Sequence, residues 1–405
     1  MKKIIWICLA ALLLALPLGA GAEEAREITE SCEITIPNCQ GTPSLMLDRN
    51  RRSTASDWGK QQYEIHIAPG ETPVATVYIE FGKVYLPFRV EARDGNGAWQ
   101  VIAEYKDNTY PEAYVTFAPQ SEPFRLVFYP QNGKKELAVR ELFLLSEGEV
   151  GSDYNHIWQP PVEKADLLVL ATHPDDEILW FGGVIPWYAG EKGMQVQVCY
   201  LTCTDFYRTL ELLNGLWQCG VRNYPEIGDF FDNQFDTVDE VFHVWGRNTV
   251  EKHIVRLIRR YRPEVMLTQD VNGEYGHSQH KAGVQAALRA VELAADPEYD
   301  RQSAQQYGAW EVKKLYVHLG EHPTTVLDWS RPMAAFDGKN GFEMAEIAFQ
   351  RHDSQLWTPF TVAYPGTAYD STLYTLVRTT VGEEEAGNDF FEHIPAECLS
   401  VTLDE

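Results

Sequence analysis

The chain has 405 residues, of which 44% are hydrophobic and 12% aromatic, enough for two packed domains and too many for a disordered chain. Its formal net charge of −25 excludes nucleic acid or an anionic membrane surface as the partner, because both need positive charge at the contact. It places no constraint on a neutral glycan.

Residues 1–22, MKKIIWICLAALLLALPLGAGA, have a short basic start, an apolar run and a small-residue end at Ala20-Gly21-Ala22. That is the layout of a secretory signal peptide cleaved after Ala22. A membrane anchor fits less well, since the run is short for a bilayer and gives way to small residues and then acids. Cys8 lies inside the run, which argues against a lipidated form. The expectation is an exported protein, secreted or at the cell surface, with no membrane-spanning segment once the leader is removed. Cleavage removes Lys2 and Lys3 and no acid, so the remainder is more acidic still. Of the remaining cysteines (Cys32, Cys39, Cys199, Cys203, Cys219 and Cys398) none forms a CxxC pair, so a thiolate zinc finger is not expected. Cys32 and Cys39 can form a disulfide or stay single buried thiols.

From Glu30 to Glu147 the sequence reads as short strands: YEIHIAP, ATVYIEF, FRVEARDGNGAWQVIAEY, AYVTFAP, FRLVFYP and LAVRELFLL. They alternate, are rich in β-branched and aromatic residues, and are separated by Gly, Pro and Asn; DGNG at Asp94–Gly97 is a hairpin signal. Many short strands without a helical period predict an all-β jelly-roll sandwich over residues 23–150. The ordering, with LMLDRNRRSTASDW at Leu45–Trp58 as an early loop, resembles the discoidin-like, galactose-binding modules. The resemblance makes Trp58 and Trp99 candidates for stacking on a sugar, although a tryptophan in such a module more often belongs to the core.

Residues 151–164, polar and carrying Pro160-Pro161, read as a linker. After them the period changes. DLLVLAT is an apolar strand of the kind buried on both faces, and QVQVCYLTC and EVMLTQD repeat the pattern. Between them TLELLNGLWQCG reads as a helix ending at Gly220, and NTVEKHIVRLIRRY as a helix capped by Asn248 with Glu251 at capping-box spacing. Alternating strands and helices predict a Rossmann-like parallel sheet over residues 165–405, with its site at the carboxyl ends of the strands. No GxGxxG follows the first strand, so a dinucleotide is not the expected ligand.

Two motifs fall at such strand ends. THPDDE, Thr172–Glu177, follows the first strand, and GEYGHSQHKAG, Gly273–Gly283, follows EVMLTQD. Each pairs a histidine with a second ligand-type residue three positions on: His173 with Asp176, and His277 with His280. Clustered carboxylates repel one another and resist burial unless a cation sits among them. Two imidazoles and a carboxylate around a divalent ion leave coordination positions open, as catalysis requires. Gly182 and Gly183 are expected to let the backbone pass close to this site. His66, His156, His243, His253, His318, His322 and His393 lack such company and read as structural or solvated.

THPDDE together with GHSQH resembles the PIG-L/LmbE-like zinc-dependent N-deacetylases, whose usual patterns are AHPDDE and GHPDH. YLTCTDFYRTLELLNGLWQCGV, RHDSQ, YTLVRTTVG and DFFEHIP are similar to further segments of that family. The resemblance implies that His173, Asp176 and His280 hold the metal, zinc or alternatively iron(II), and that Asp175 is the general base. It implies that His277 and Tyr275 polarise the carbonyl or assist the leaving group. Arg208 would grip a substrate hydroxyl or acidic group, and Asp232 a sugar hydroxyl. Thr172 replaces the usual Ala, and Ser278-Gln279 replace Pro-Asp, so the surroundings of the histidines are expected to differ. Glu177 reads as a first-turn helix acid that also braces the site.

The expectation is an exported metal-dependent hydrolase that removes acetyl from N-acetylglucosamine-type sugars of a glycan or glycoconjugate. The competing readings are hydrolysis of another amide, a non-haem iron oxygenase built on the same ligand types, and a catalytically silent glycan-binding protein.

Overall fold

The computed structural model describes residues 23–107, 109–130, 136–203 and 205–401; the expected leader, residues 1–22, lies outside them. The first part is an antiparallel sandwich of nine strands: β1 (Glu33–Thr35), β2 (Ala55–Trp58), β3 (Tyr63–Ala68), β4 (Val74–Phe81), β5 (Phe88–Arg93), β6 (Trp99–Tyr105), β7 (Glu112–Gln120), β8 (Phe124–Phe128) and β9 (Glu136–Leu145). One sheet has the order β1-β3-β8-β5-β6 and the other β2-β9-β4-β7. The alternation in β3 turns Tyr63, Ile65 and Ile67 inward, where they meet Val77, Ile79 and Leu142 of the facing sheet in one core. Asp94 and Gly97 make the β5–β6 turn, with Gly97 at a φ of +79° that glycine adopts without strain. Cys32 and Cys39 are free thiols, donating to the carbonyls of Ile28 and Ser56. The Trp99 ring is covered by the guanidinium groups of Arg93 and Arg125, at 4.4 and 4.3 Å, whereas Trp58 is 46% exposed. Of the two candidate platforms, only Trp58 offers an open face.

The second part contains β10 (Leu167–Ala171), α1 (Asp176–Leu179), β11 (Val196–Tyr200), α2 (Phe206–Gln218), β12 (Glu226–Ile227), α3 (Val238–Trp245), α4 (Arg247–Tyr261), β13 (Val265–Thr268), α5 (Ser278–Ala294), α6 (Arg301–Tyr307), β14 (Lys314–His318), β15 (Thr325–Val326), α7 (Gly341–Phe349) and β16 (Leu373–Thr379). Its sheet has the order β12-β11-β10-β13-β14-β16-β15. The strands β10 to β14 are parallel, while β16 pairs antiparallel with β14 and with β15, so the sheet is mixed and not parallel throughout. The edge strand β15 follows β14 directly, and β16, which comes after α7, inserts antiparallel between the two. Strand order reverses between β10 and β13, and the two motifs leave these two strands side by side, where the first connections diverge to opposite sides.

Two local expectations are corrected. Asn248 does not cap α4: α3 ends at Gly246, which at φ +74° serves both helices, so α4 starts at Arg247 and Asn248 lies in its first turn. There the Asn248 side chain accepts a hydrogen bond from Tyr299 Oη instead. Gly182 and Gly183 serve helix packing more than the site, since a Cβ on Gly182 would meet Ala345 of α7 and one on Gly183 the indole of Trp329. Among the described residues no helix is long and apolar enough to cross a membrane.

Gly183→Ala should therefore lower unfolding stability by about 1–3 kcal/mol through overpacking against buried Trp329, checked by urea denaturation.

Candidate active site

The site is built where β10 and β13 end. After Ala171 the chain turns through Thr172, His173 and Pro174, and α1 begins at Asp176. The His173 amide donates to Asp176 Oδ2 at 2.7 Å, locking that carboxylate against its own loop. From the other side, α5 begins at Ser278 and carries His280 in its first turn, fully buried. His173 Nδ1 lies 3.0 Å from His280 Nε2 and 3.2 Å from Asp176 Oδ2; His280 Nε2 lies 3.3 Å from the same oxygen.

The other nitrogen of each ring decides which atom faces this point. His280 Nδ1 is 2.7 Å from Glu274 Oε2, and His173 Nε2 is 3.0 Å from Gln279 Oε1. Glu274 accepts only: burial would raise its pKa, but hydrogen bonds from His280 and His318 hold it below the ordinary value. Both rings thus spend an N–H outward and turn a lone pair inward, toward a carboxylate oxygen. Three lone-pair atoms this close require a positive charge between them. Against burial, Asp176 and Glu274 raise the pKa of His280 to about 10, which marks how strongly this point favours positive charge.

A divalent ion fits better. Tetrahedral donors at zinc distances stand about 3.3 Å apart, which matches all three separations. The nitrogens of His173, His277 and His280 also lie within 4.8 Å of one another, so the three histidines form a second, overlapping group that could hold a metal ion. His173, Asp176 and His280 have the donor atoms that stand closest together, 3.0–3.3 Å apart, and His277 completes the cluster that could hold a cation. His277 Nδ1 is buried without a hydrogen-bond partner. Burial, then the nearby His173 and His280, depress its pKa to about 3, so the ring is neutral.

Asp175, one residue before the carboxylate of this set, has φ +110° and ψ −30°, a backbone state that costs about 1–3 kcal/mol. The Glu177 carboxylate holds it there by accepting the Asp175 amide at 2.8 Å. Glu177 is held in turn by His352, whose Nε2 lies 3.1 Å from Oε1; burial disfavours charge on His352, but Glu177 outweighs it and raises its pKa. Glu177 thus braces the loop, as its place in the motif suggested. Burial pushes the Asp175 carboxyl up; Arg208 pulls it down and Asp176 pushes it up again, leaving it at about 7. Such a value suits proton transfer in both directions near neutrality.

Arg208, in the first turn of α2, donates to the Pro174 carbonyl and approaches Asp175 Oδ1 at 3.2 Å. Asp232, in the loop between β12 and α3, lies 3.9 Å from Arg208 and 3.5 Å from His173 Nε2. Tyr275 is partly exposed, with its ring 5.6 Å from that of His277 and 4.6 Å from that of Phe360. All eight residues singled out in the sequence therefore meet in one place. Glu274 went unnoticed although it lies inside the second motif, and Gln279 was marked only as a departure from the usual pattern, without a role. Gln279 also donates to Phe231 O, and Ser278 to Phe235 O, so the pair that replaces Pro-Asp ties the Asp232 loop to the histidines.

Residues 168–291 match the family model described as PIG-L: GlcNAc-PI de-N-acetylase. The chain is 30% identical over 268 residues to the 1D-myo-inositol 2-acetamido-2-deoxy-alpha-D-glucopyranoside deacetylase 1 of Catenulispora acidiphila, covering 57% of this chain and 79% of that protein. It is 32% identical over 181 residues to the deacetylase of the same description from Geodermatophilus obscurus, covering 37% of this chain and 60% of that one. Among solved structures, the family 32 carbohydrate-binding module of C. perfringens NanJ in complex with galactose aligns over 30% of this chain and 99% of its own, with 15% identity and a TM-score of 0.27.

Gln279→Leu and Glu274→Gln should each weaken divalent-metal affinity about 10- to 100-fold by freeing a ligand ring, measured by competition with a chromophoric chelator.

Proposed function

Because the chain belongs to the PIG-L, GlcNAc-PI de-N-acetylase family, we propose that it is a metal-dependent N-deacetylase of N-acetylglucosamine-type sugars. The observation that carries this reading is the trio of inward lone pairs on His173, Asp176 and His280, with Asp175 strained into place beside it. We take zinc as the resident ion and iron(II) as the alternative. The leader-like residues 1–22 and the acidic, glycan-compatible charge support an exported protein acting on an extracellular glycan or glycoconjugate.

His173, Asp176 and His280 would hold the divalent ion, which would supply a Lewis acid and lower the pKa of bound water toward neutrality. Asp175 takes the proton from the attacking water as its oxygen adds to the acetamide carbon. The oxygen that gains charge needs donors, and Tyr275 and the neutral His277, with rings 5.6 Å apart beside the trio, are the groups suited to that role. With a pKa of about 3, His277 suits hydrogen bonding better than proton donation. Asp175 returns its proton to the nitrogen as the C–N bond breaks, giving acetate and a free amine. Arg208 and Asp232, opposed across 3.9 Å, suit a pair of sugar hydroxyls, and Arg208 also keeps Asp175 oriented.

The test is acetate release by the zinc-loaded protein from N-acetylglucosamine, chito-oligosaccharides, peptidoglycan fragments and N-acetylglucosaminyl-inositol. Acetate should come from at least one class, and Asp175→Ala should reduce it about 100- to 10,000-fold with metal content unchanged. A metal-loaded protein silent on every member would overturn the reading.

A further inference from the structure

We propose that the β-sandwich is a working part of the catalytic unit, and that its Arg140 and Arg52 are positioning residues for Arg208. This rests on the reading of Arg208 as a site residue. Arg208 is the third residue of α2, and the two residues before it are both gripped from the sandwich. The Arg140 guanidinium lies over the Phe206 ring at 4.9 Å, and the Tyr85 ring lies 6.1 Å from it. The Arg52 guanidinium lies over Tyr207 at 5.2 Å. Arg140 is only 7% exposed and is itself fixed by donating to the carbonyl of Arg51. A desolvated cation over an aromatic face is worth more than an exposed one, so Arg140 is the stronger of the two clamps.

The far end of the helix is tied to the same domain. Trp217 packs against His156 and Trp158 of the connecting segment, at 4.8 and 5.2 Å between ring centroids. Both of these side chains bond Glu112 of β7. A third tie reaches the brace on the base. Arg51, paired with buried Glu80, also meets Asp353 at 3.4 Å. The neighbours of Asp353 are His352, which holds Glu177, and Ser354, which donates to Glu211 of α2. Thus α2 is fixed to the sandwich at both ends, and the Glu177 brace is fixed to it once. A module tethered only for targeting would need none of these contacts.

The test uses the full-length, metal-loaded protein, with amide hydrogen exchange of residues 205–210 as a readout independent of turnover. Arg140→Ala should speed exchange in that segment at least tenfold while exchange elsewhere holds. On whichever N-acetyl sugar the wild type hydrolyses, it should raise KM about tenfold, with kcat per bound metal within threefold. Arg140→Lys, which keeps the cation, should recover most of both, and Arg89→Ala on a distant strand should match wild type. Should Arg140→Ala not fold, Arg52→Ala, a surface change, should show the same local effect at smaller size. Wild-type exchange at 205–210 in both alanine variants would overturn the proposal. So would faster exchange spread evenly over the chain, which marks lost stability and not lost positioning. If the wild type releases no acetate, the deacetylase reading fails, while the exchange arm still decides this one.

Discussion

Everything at the carboxyl ends of β10 and β13 depends on one electrostatic constraint. Three lone-pair atoms, from His173, Asp176 and His280, stand 3.0–3.3 Å apart and cannot coexist without positive charge among them. The surrounding residues enforce that proximity. Glu274 and Gln279 turn the rings inward, and the His173 amide pins the carboxylate. The fold in turn must bring two loops far apart in sequence to one point, which the reversal of strand order between β10 and β13 does.

The strained backbone of Asp175 follows from the same arrangement. Consecutive carboxylates at 175 and 176 must serve different ends, one in the lone-pair trio and one outside it. Swinging them apart requires a φ that a non-glycine residue seldom adopts. Glu177, itself held by His352, offsets the strain with a charged acceptor for the Asp175 amide. Three successive acids in THPDDE thus divide into the proposed base, a ligand-type group and a brace.

Much of this was legible in the sequence, for reasons that can be named. The strands of the sandwich announce themselves by alternation, and β10, β11 and β13 by unbroken apolar runs, because each pattern follows directly from which faces are buried. Six of the eight site residues were legible because their chemistry is costly to bury and clusters in two short motifs, whereas Arg208 and Asp232 lie outside both and came only from the family resemblance. The roles of Glu274 and Gln279 were not legible, since a Glu in a loop and a Gln in the first turn of a helix carry no signature until the ring nitrogens they meet are located. The antiparallel edge of β15 and β16 was equally hidden: β15 is two residues long and β16 is half-exposed, so neither has a strong pattern. Asn248 shows how local signals mislead, for a correct capping pattern was overridden by Gly246, which ends one helix and begins the next. The ties between the sandwich and α2 join residues far apart in sequence, and no local pattern announces them.

The central claim, that His173, Asp176 and His280 together hold a catalytic ion, is tested most directly by anomalous diffraction at the metal edge from crystals of the zinc-loaded protein. The account predicts a single strong peak about 2.0–2.2 Å from His173 Nδ1, Asp176 Oδ2 and His280 Nε2, with His277 outside the ligand distance. A peak bound by the three histidines with Asp176 turned away, or no peak at this point in metal-loaded crystals, would contradict it.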